Sequence, residues 1–197
     1  LVPVNQDALP QESRRLTEGE FNVGTPFGGS SFDWSPDGET IVFTHAPTPK
    51  VDDWTRADVS LVDVESGSTR PLATTAAAEG QPFYSPDGRW IALTVSDDPP
   101  TWAFTSRVHV VDAGGGEPHP LARSYDEQPN ILGWSRDGRR LLISETHRTV
   151  NRVSALPVDG GEPVDISPAD VMVGGPSLNA ASTHVGFVSQ SPESPPE

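Results

Sequence analysis

Cysteine is absent from the 197 residues and methionine occurs once, so a disulfide framework, a thiolate nucleophile and a cysteine-based metal site are all closed to this chain. Basic residues are scarce as well: 13 Lys and Arg stand against 28 Asp and Glu, a formal net charge of −15. The cations come singly or in pairs such as Arg14-Arg15 and Arg139-Arg140. No stripe of them exists to neutralise phosphates, which argues against a nucleic-acid partner and leaves the acidic surface as a source of solubility. No apolar run approaches the roughly 18 residues of a spanning helix, and the N-terminus has no basic-then-apolar leader. The chain therefore reads as soluble, with no membrane partner. A cytoplasmic location is expected, and a periplasmic or secreted one would need a signal upstream.

Signatures of catalysis are missing too. Gly28-Gly29-Ser30-Ser31-Phe32 fails the Gly-x-Ser-x-Gly elbow at its last position. There is no His-Glu-x-x-His, no phosphate-binding Gly-x-x-x-x-Gly-Lys and no dinucleotide fingerprint. The five histidines, His45, His109, His119, His147 and His184, are too dispersed for a ligand set. No catalytic residue, cofactor or metal site is expected within this chain.

What the chain does have is 18 glycines, 21 prolines and short valine-rich segments without helical spacing, the composition of strands and turns. It also has a repeat. Trp34-Ser35-Pro36-Asp37-Gly38 returns as Tyr84-Ser85-Pro86-Asp87-Gly88 and as Trp134-Ser135-Arg136-Asp137-Gly138, at intervals of 50 residues. In the first two, proline presets φ; in all three, Asp accepts nearby backbone N–H groups and Gly supplies the positive φ that reverses the chain. A period of this length with strand-like flanks indicates β-propeller blades. The fold class is all-β: a partial propeller of four-stranded antiparallel blades, about three complete, with remnants at both ends.

Blades are expected at about 32–73, 81–123 and 130–167, after an N-terminal segment 1–13 and a remnant outer strand over 14–17. A partial blade follows at 176–189, with a degenerate turn at Ala180-Ala181-Ser182-Thr183, and a truncated segment at 191–197. Trp34, Tyr84 and Trp134 are expected to pack between blades, and Asp37, Asp87 and Asp137 to form turns, not calcium sites. An isolated arc exposes two sheet faces, so the chain is expected to be a fragment of a larger ring or to close by self-association.

Antiparallel connectivity places the tight turns on one face and the long loops on the other. Ala46 to Asp58 carries Asp53 and Trp54; Ser96 to Ser106 carries Asp98, Trp102 and Phe104. Loops on a rigid scaffold are where recognition resides, which makes Asp53, Trp54, Asp98, Trp102 and Phe104 the candidate partner or substrate contacts. Two readings of the rings stay open: an aromatic rim for a partner, or rings that fold back over their own blades.

The Trp-Ser-Pro-Asp-Gly turn, the Val110-Val111-Asp112 third strand and the Gly114-Gly115-Gly116 turn resemble the TolB-like, WD40-like propeller repeat. Phe32 to Thr44, Gln81 to Thr94 with Arg107 to Asp112, and Gly186 to Glu197 resemble the N-terminal propeller of prolyl oligopeptidase family serine peptidases, the acylaminoacyl-peptidase or dipeptidyl-peptidase-like group. That resemblance implies a following α/β-hydrolase domain with a Ser-Asp-His triad, and a propeller that restricts access to it. The parent protein would then be a serine peptidase acting on peptides, while this chain alone hydrolyses nothing. No triad residue carries over, and Glu18 and Glu20 lack the helical context of the paired glutamates that hold a substrate amino terminus in dipeptidyl peptidases. The alternative is a TolB-like propeller that binds a protein or peptide and has no enzymatic role.

Overall fold

The structure is a computed structural model that describes residues 13–24, 31–73 and 75–197. Most of the N-terminal segment, together with Phe27 and Gly28-Gly29-Ser30, lies outside the described residues. Four antiparallel sheets follow one another along the chain. The first blade contains β1 (Asn22–Val23), β2 (Phe32–Trp34), β3 (Thr40–Ala46), β4 (Asp58–Asp63) and β5 (Thr69–Pro71). The second contains β6 (Glu79–Tyr84), β7 (Trp90–Ser96), β8 (Ser106–Asp112) and β9 (His119–Pro120). The third contains β10 (Asn130–Trp134), β11 (Arg140–His147), β12 (Val150–Pro157) and β13 (Val164–Asp165), and the fourth β14 (Met172–Leu178) with β15 (Val185–Gln190).

The repeated turn is built alike three times. Ser35 Oγ donates to Asp37 at 2.6 Å, the same aspartate oxygen accepts from Glu39 N at 3.0 Å, and Thr40 N donates to Ser35 Oγ at 2.9 Å. Ser85, Asp87, Arg89 and Trp90 repeat this pattern, as do Ser135, Asp137, Arg139 and Arg140. The serine hydroxyls foremost, then these backbone donors, hold the three carboxyls below their usual range. In the fourth blade one residue does the work of two. Asn179 Oδ1 accepts from both Thr183 N and His184 N, and Ser182 takes the positive φ that glycine has elsewhere. Arg136, which replaces proline in the third turn, uses the donor proline lacks: its N–H reaches Ser182 O at 3.1 Å and ties blade 3 to blade 4.

Blades join through strands buried on both faces. In β3, Val42 faces the second blade while Ile41 and Phe43 face the other way, toward Leu16 and Phe21. In β7, Ile91 and Leu93 pack toward blade 1, and Ala92 toward blade 3 with Ile131, Trp134 and Leu141. Burial on both sides explains the unbroken apolar runs in these strands. The inner strands are also stitched across blades: Tyr84 N donates to Asp33 at 2.8 Å, Trp134 Nε1 to Phe83 O at 3.0 Å, and Ile131 N to Gln81 Oε1 at 2.9 Å. Burial raises the Asp33 carboxyl despite its backbone donors.

Four features differ from the sequence expectation. The inner strand of blade 1 is in two pieces, because β1 also pairs with β3; Gly24 N donates to Thr44 O, and Thr44 N to Ser31 O, so the pieces meet at Thr44. Residues 14–17 form no strand, since among the described residues no partner strand lies beside them. They still occupy an outer-strand position against blade 1. Arg14 donates to the Val64 and Glu65 carbonyls as Arg70 does to those of Ala113 and Gly114. β14 begins at Met172, ahead of the expected 176. The C-terminal segment turns at Ser191–Ser194, and Glu197 exchanges both backbone hydrogen bonds with Ser189, so it lies along β15 in the position of a third strand.

The aromatic residue before each turn has a graded environment. Trp134 is 3% exposed and Tyr84 is buried, whereas Trp34 is 40% exposed on the open side of blade 1, beside exposed Phe32 and Val23. Trp134→Ala is therefore expected to cost about 3–5 kcal/mol of unfolding free energy, and Trp34→Ala less than about 2 kcal/mol. Urea denaturation of the two variants measures this, and equal losses would contradict the assignment.

Candidate functional site

Between β3 and β4 the long loop winds into a 3-10 helix, Val51–Arg56. Thr48 Oγ1 donates to the Asp53 carboxylate, which also pairs with Arg56 at 3.6 Å. Ala57 N closes the helix on Trp54 O at 3.1 Å. Asp53 thus structures its own loop, and in doing so it aims Trp54 inward, where the residue is 7% exposed. In the next blade, the loop between β7 and β8 turns at Phe104, whose φ is +55° and whose N–H donates to Thr101 O.

The two loops meet through their rings. The Trp54 centroid lies 4.9 Å from that of Phe104 and 5.5 Å from that of Trp102, and Trp102 meets Phe104 edge-on at 5.7 Å and 88°. Edge-to-face arrangements of this kind favour the ring quadrupoles. The result is a bridge from blade 1 to blade 2 with a buried foot, Trp54, and an outer tip, Trp102, that is 61% exposed. Three of the five sequence candidates are therefore brought together. Asp53 faces its own loop, and Asp98 is exposed on the loop that leads to Trp102.

Beneath the bridge lies a cleft of about 350 Å³ where the long-loop sides of three blades converge. Trp54 and Phe104 wall it, and Glu79, Gln81, Ser96 and Asn130 contribute polar groups. Most of these groups are already committed. Gln81 is spent on Ile131 N and Pro129 O, Ser96 Oγ accepts from Ala78 N, and Asn130 Nδ2 donates to Ser144. Glu79 is only 2% exposed; Oε2 accepts from Val59 N and Oε1 from Thr75 N, both at 3.3 Å. Burial pushes its carboxyl up to about 7, against the lowering effect of these donors. A second buried carboxylate, Glu145, accepts from Tyr125 N at 2.8 Å and Asp126 N at 3.1 Å, and Tyr125 stacks on His147 with centroids 3.6 Å apart.

Sequence reasoning missed Gln81 and Glu145, and it missed the burial of Glu79. Their burial depends on which backbone segments come to lie over them, and no local spacing signals it. Among the described residues no group of three His, Asp or Glu side chains is placed to hold a metal ion, and no helix is long and apolar enough to cross a membrane. Glu18 and Glu20 are exposed in the irregular segment before β1.

Antiparallel blades with Ser-x-Asp-Gly turns, stitched along their inner strands, define a partial β-propeller. No protein-family model matches the chain. In sequence it is similar to dipeptidyl-peptidase 5 of Trichophyton equinum, 29% identical over 149 residues that cover 68% of this chain and 20% of the relative. The chain spans about one fifth of the length of the curated relatives it matches. In fold it is similar to TolB from Acinetobacter baumannii, with a TM-score of 0.66 and 13% identity over 92% of this chain and 41% of that one. It is similar also to a putative dipeptidyl aminopeptidase IV from Bacteroides ovatus, with a TM-score of 0.62 and 12% identity over 89% of this chain and 33% of that one.

If the rings act as one bridge, their contributions to stability are coupled. A double-mutant cycle with Trp54→Ala and Phe104→Ala is expected to give a coupling energy of about 1 kcal/mol in urea unfolding. Strict additivity would mean that the rings are neighbours without being partners.

Proposed function

We propose that this chain is the noncatalytic propeller part of a longer serine peptidase, in which its long-loop face docks an α/β-hydrolase domain and limits which peptides reach it. The observation that carries this reading is the bridge from blade 1 to blade 2. It turns two long loops into one fixed surface with an exposed tryptophan at its tip, the kind of rigid aromatic anchor used at interfaces. The similarity to dipeptidyl-peptidase 5 supports a peptidase as the parent, with removal of dipeptides as its activity. In this reading Trp102 and Phe104 are contact residues, Trp54 supports them from below, Asp53 holds the helix that carries Trp54, and Asp98 lies at the rim.

A second reading is favoured by the fold similarity to TolB: a propeller that binds a protein or peptide through the same face, with no hydrolase attached. Self-association is a further route to covering the apolar residues at the two ends of the arc, Phe32 and Trp34 in blade 1 and Met172 and Val188 in blade 4. A monomeric mass in sedimentation would dismiss it.

Sequencing the coding region on both sides of this segment separates the first two readings. The peptidase reading expects further Ser-Pro-Asp-Gly repeats and a Gly-x-Ser-x-Gly elbow downstream of Glu197. In that full-length protein, Trp102→Ala is expected to change kcat/KM for peptides several-fold and to leave hydrolysis of a small ester unchanged. An export signal upstream with a stop codon close after Glu197 would favour the binding propeller and also place it outside the cytoplasm.

A further inference from the structure

We infer that Asp159-Gly160 is a site of spontaneous backbone modification, at which the aspartate isomerises through a cyclic imide to isoaspartate, while the repeated turn holds the chain's other three Asp-Gly pairs against the same reaction. The inference is independent of the function proposed above.

The chemistry is open in principle to any Asp-Gly pair, because glycine has no side chain to hinder its own nitrogen. The Gly160 nitrogen gives up its proton and attacks Asp159 Cγ; a C–N bond forms, and the carboxyl oxygen leaves as water. Water then opens the ring at either carbonyl. Opening at Cγ returns aspartate, whereas opening at the α-carbonyl leaves Gly160 attached through the side chain and frees an α-carboxylate. One water leaves and one enters, so no other reactant is needed.

The four pairs are Asp37-Gly38, Asp87-Gly88, Asp137-Gly138 and Asp159-Gly160. In the first three, which sit in the repeated turn, both reacting groups are engaged. Each glycine N–H donates to the carbonyl of the turn serine at 2.9 Å. Each carboxylate accepts from the hydroxyl of that serine and from the backbone N–H two residues on. Cyclisation there has to break these bonds, and it has to protonate a carboxylate that they hold below its usual range.

Asp159 lies in a turn of another kind. The third strands of blades 1 and 2 end at Asp63, opposite Thr40, and at Asp112, opposite Trp90. Each of these carboxylates organises the turn that follows, Asp63 by accepting from Ser66 and Asp112 from Gly114 N. In blade 3 the equivalent residue, opposite Arg140, is Pro157. The aspartate comes two residues later, where neither its carboxylate nor the Gly160 N–H makes a hydrogen bond among the described residues. Both residues are exposed, and a Cβ placed on Gly160 would meet open space, so the ring has room to close. The product lengthens the connection between β12 and β13 by one backbone atom, at a ladder that rests on Val164 and Asp165 alone.

The test is incubation of the whole folded chain in heavy-oxygen water at neutral pH, followed by peptide mass spectrometry, since every passage through the imide inserts a solvent oxygen. Asp159 is expected to take up label about tenfold faster than Asp37, Asp87 or Asp137, and electron-transfer fragmentation should find isoaspartate accumulating at position 159. In urea the four pairs should label at similar rates, because the fold is what separates them. Ser85→Ala should raise the rate at Asp87; if that variant does not fold, the comparison with urea decides alone. Equal labelling of the four pairs in the folded chain would overturn the inference, as would a silent Asp159, a lead of Asp159 that persists in urea, or a folded Ser85→Ala chain in which Asp87 labels no faster.

Discussion

The second strands of the first three blades are buried on both faces, and the rest of the structure depends on that constraint. Ile91, Ala92 and Leu93 are fully buried, yet successive residues point toward different blades. Burying a side chain of this size contributes about 1.5–3 kcal/mol, and half of that contribution in every middle strand is owed to the blade next door. No blade is stable alone. The polar contacts obey the same rule, because Asp33, Gln81, Trp134 and Arg70 all reach across to a residue about one repeat away.

The long-loop face inherits its order from this stacking. Trp54 and Phe104 come from different blades, and they meet because the second strands beneath them are locked in register by the shared core. Under the bridge, Gln81 is committed in the same way to backbone groups of the neighbouring blade, whereas Ser96 and Asn130 bond within their own blades. Glu79 is the exception in character: it is a carboxyl whose ionised form the fold disfavours, at the point where the helix with Trp54 is attached.

The turns show how much was legible in the residues. Ser-Pro-Asp-Gly specifies its own geometry through contacts within five residues, so three blades and their strands could be placed from spacing alone. Deviations from the motif were harder to read. Arg136 looked like a departure, but its backbone N–H bonds to Ser182 of the next blade. Asn179 supplies the acceptors of both Ser and Asp from a single side chain. β1 was missed because its pairing with β3 is separated from that of β2 by residues that carry no strand pattern, and the outer-strand likeness of 14–17 was real in its contacts while no ladder formed.

By itself, the sequence determined the fold class, the blade period, the placement of tight turns and long loops on opposite faces, and the lack of catalytic motifs. All of these rest on local patterns: turn chemistry, alternation and residue type. Only the tertiary structure decided that Trp54 joins the loop of the next blade and that Glu79 and Glu145 are buried. Those outcomes depend on which distant backbone segments are brought alongside a side chain, and burial of a carboxyl or a ring by a segment dozens of residues away leaves no mark in the local order of amino acids.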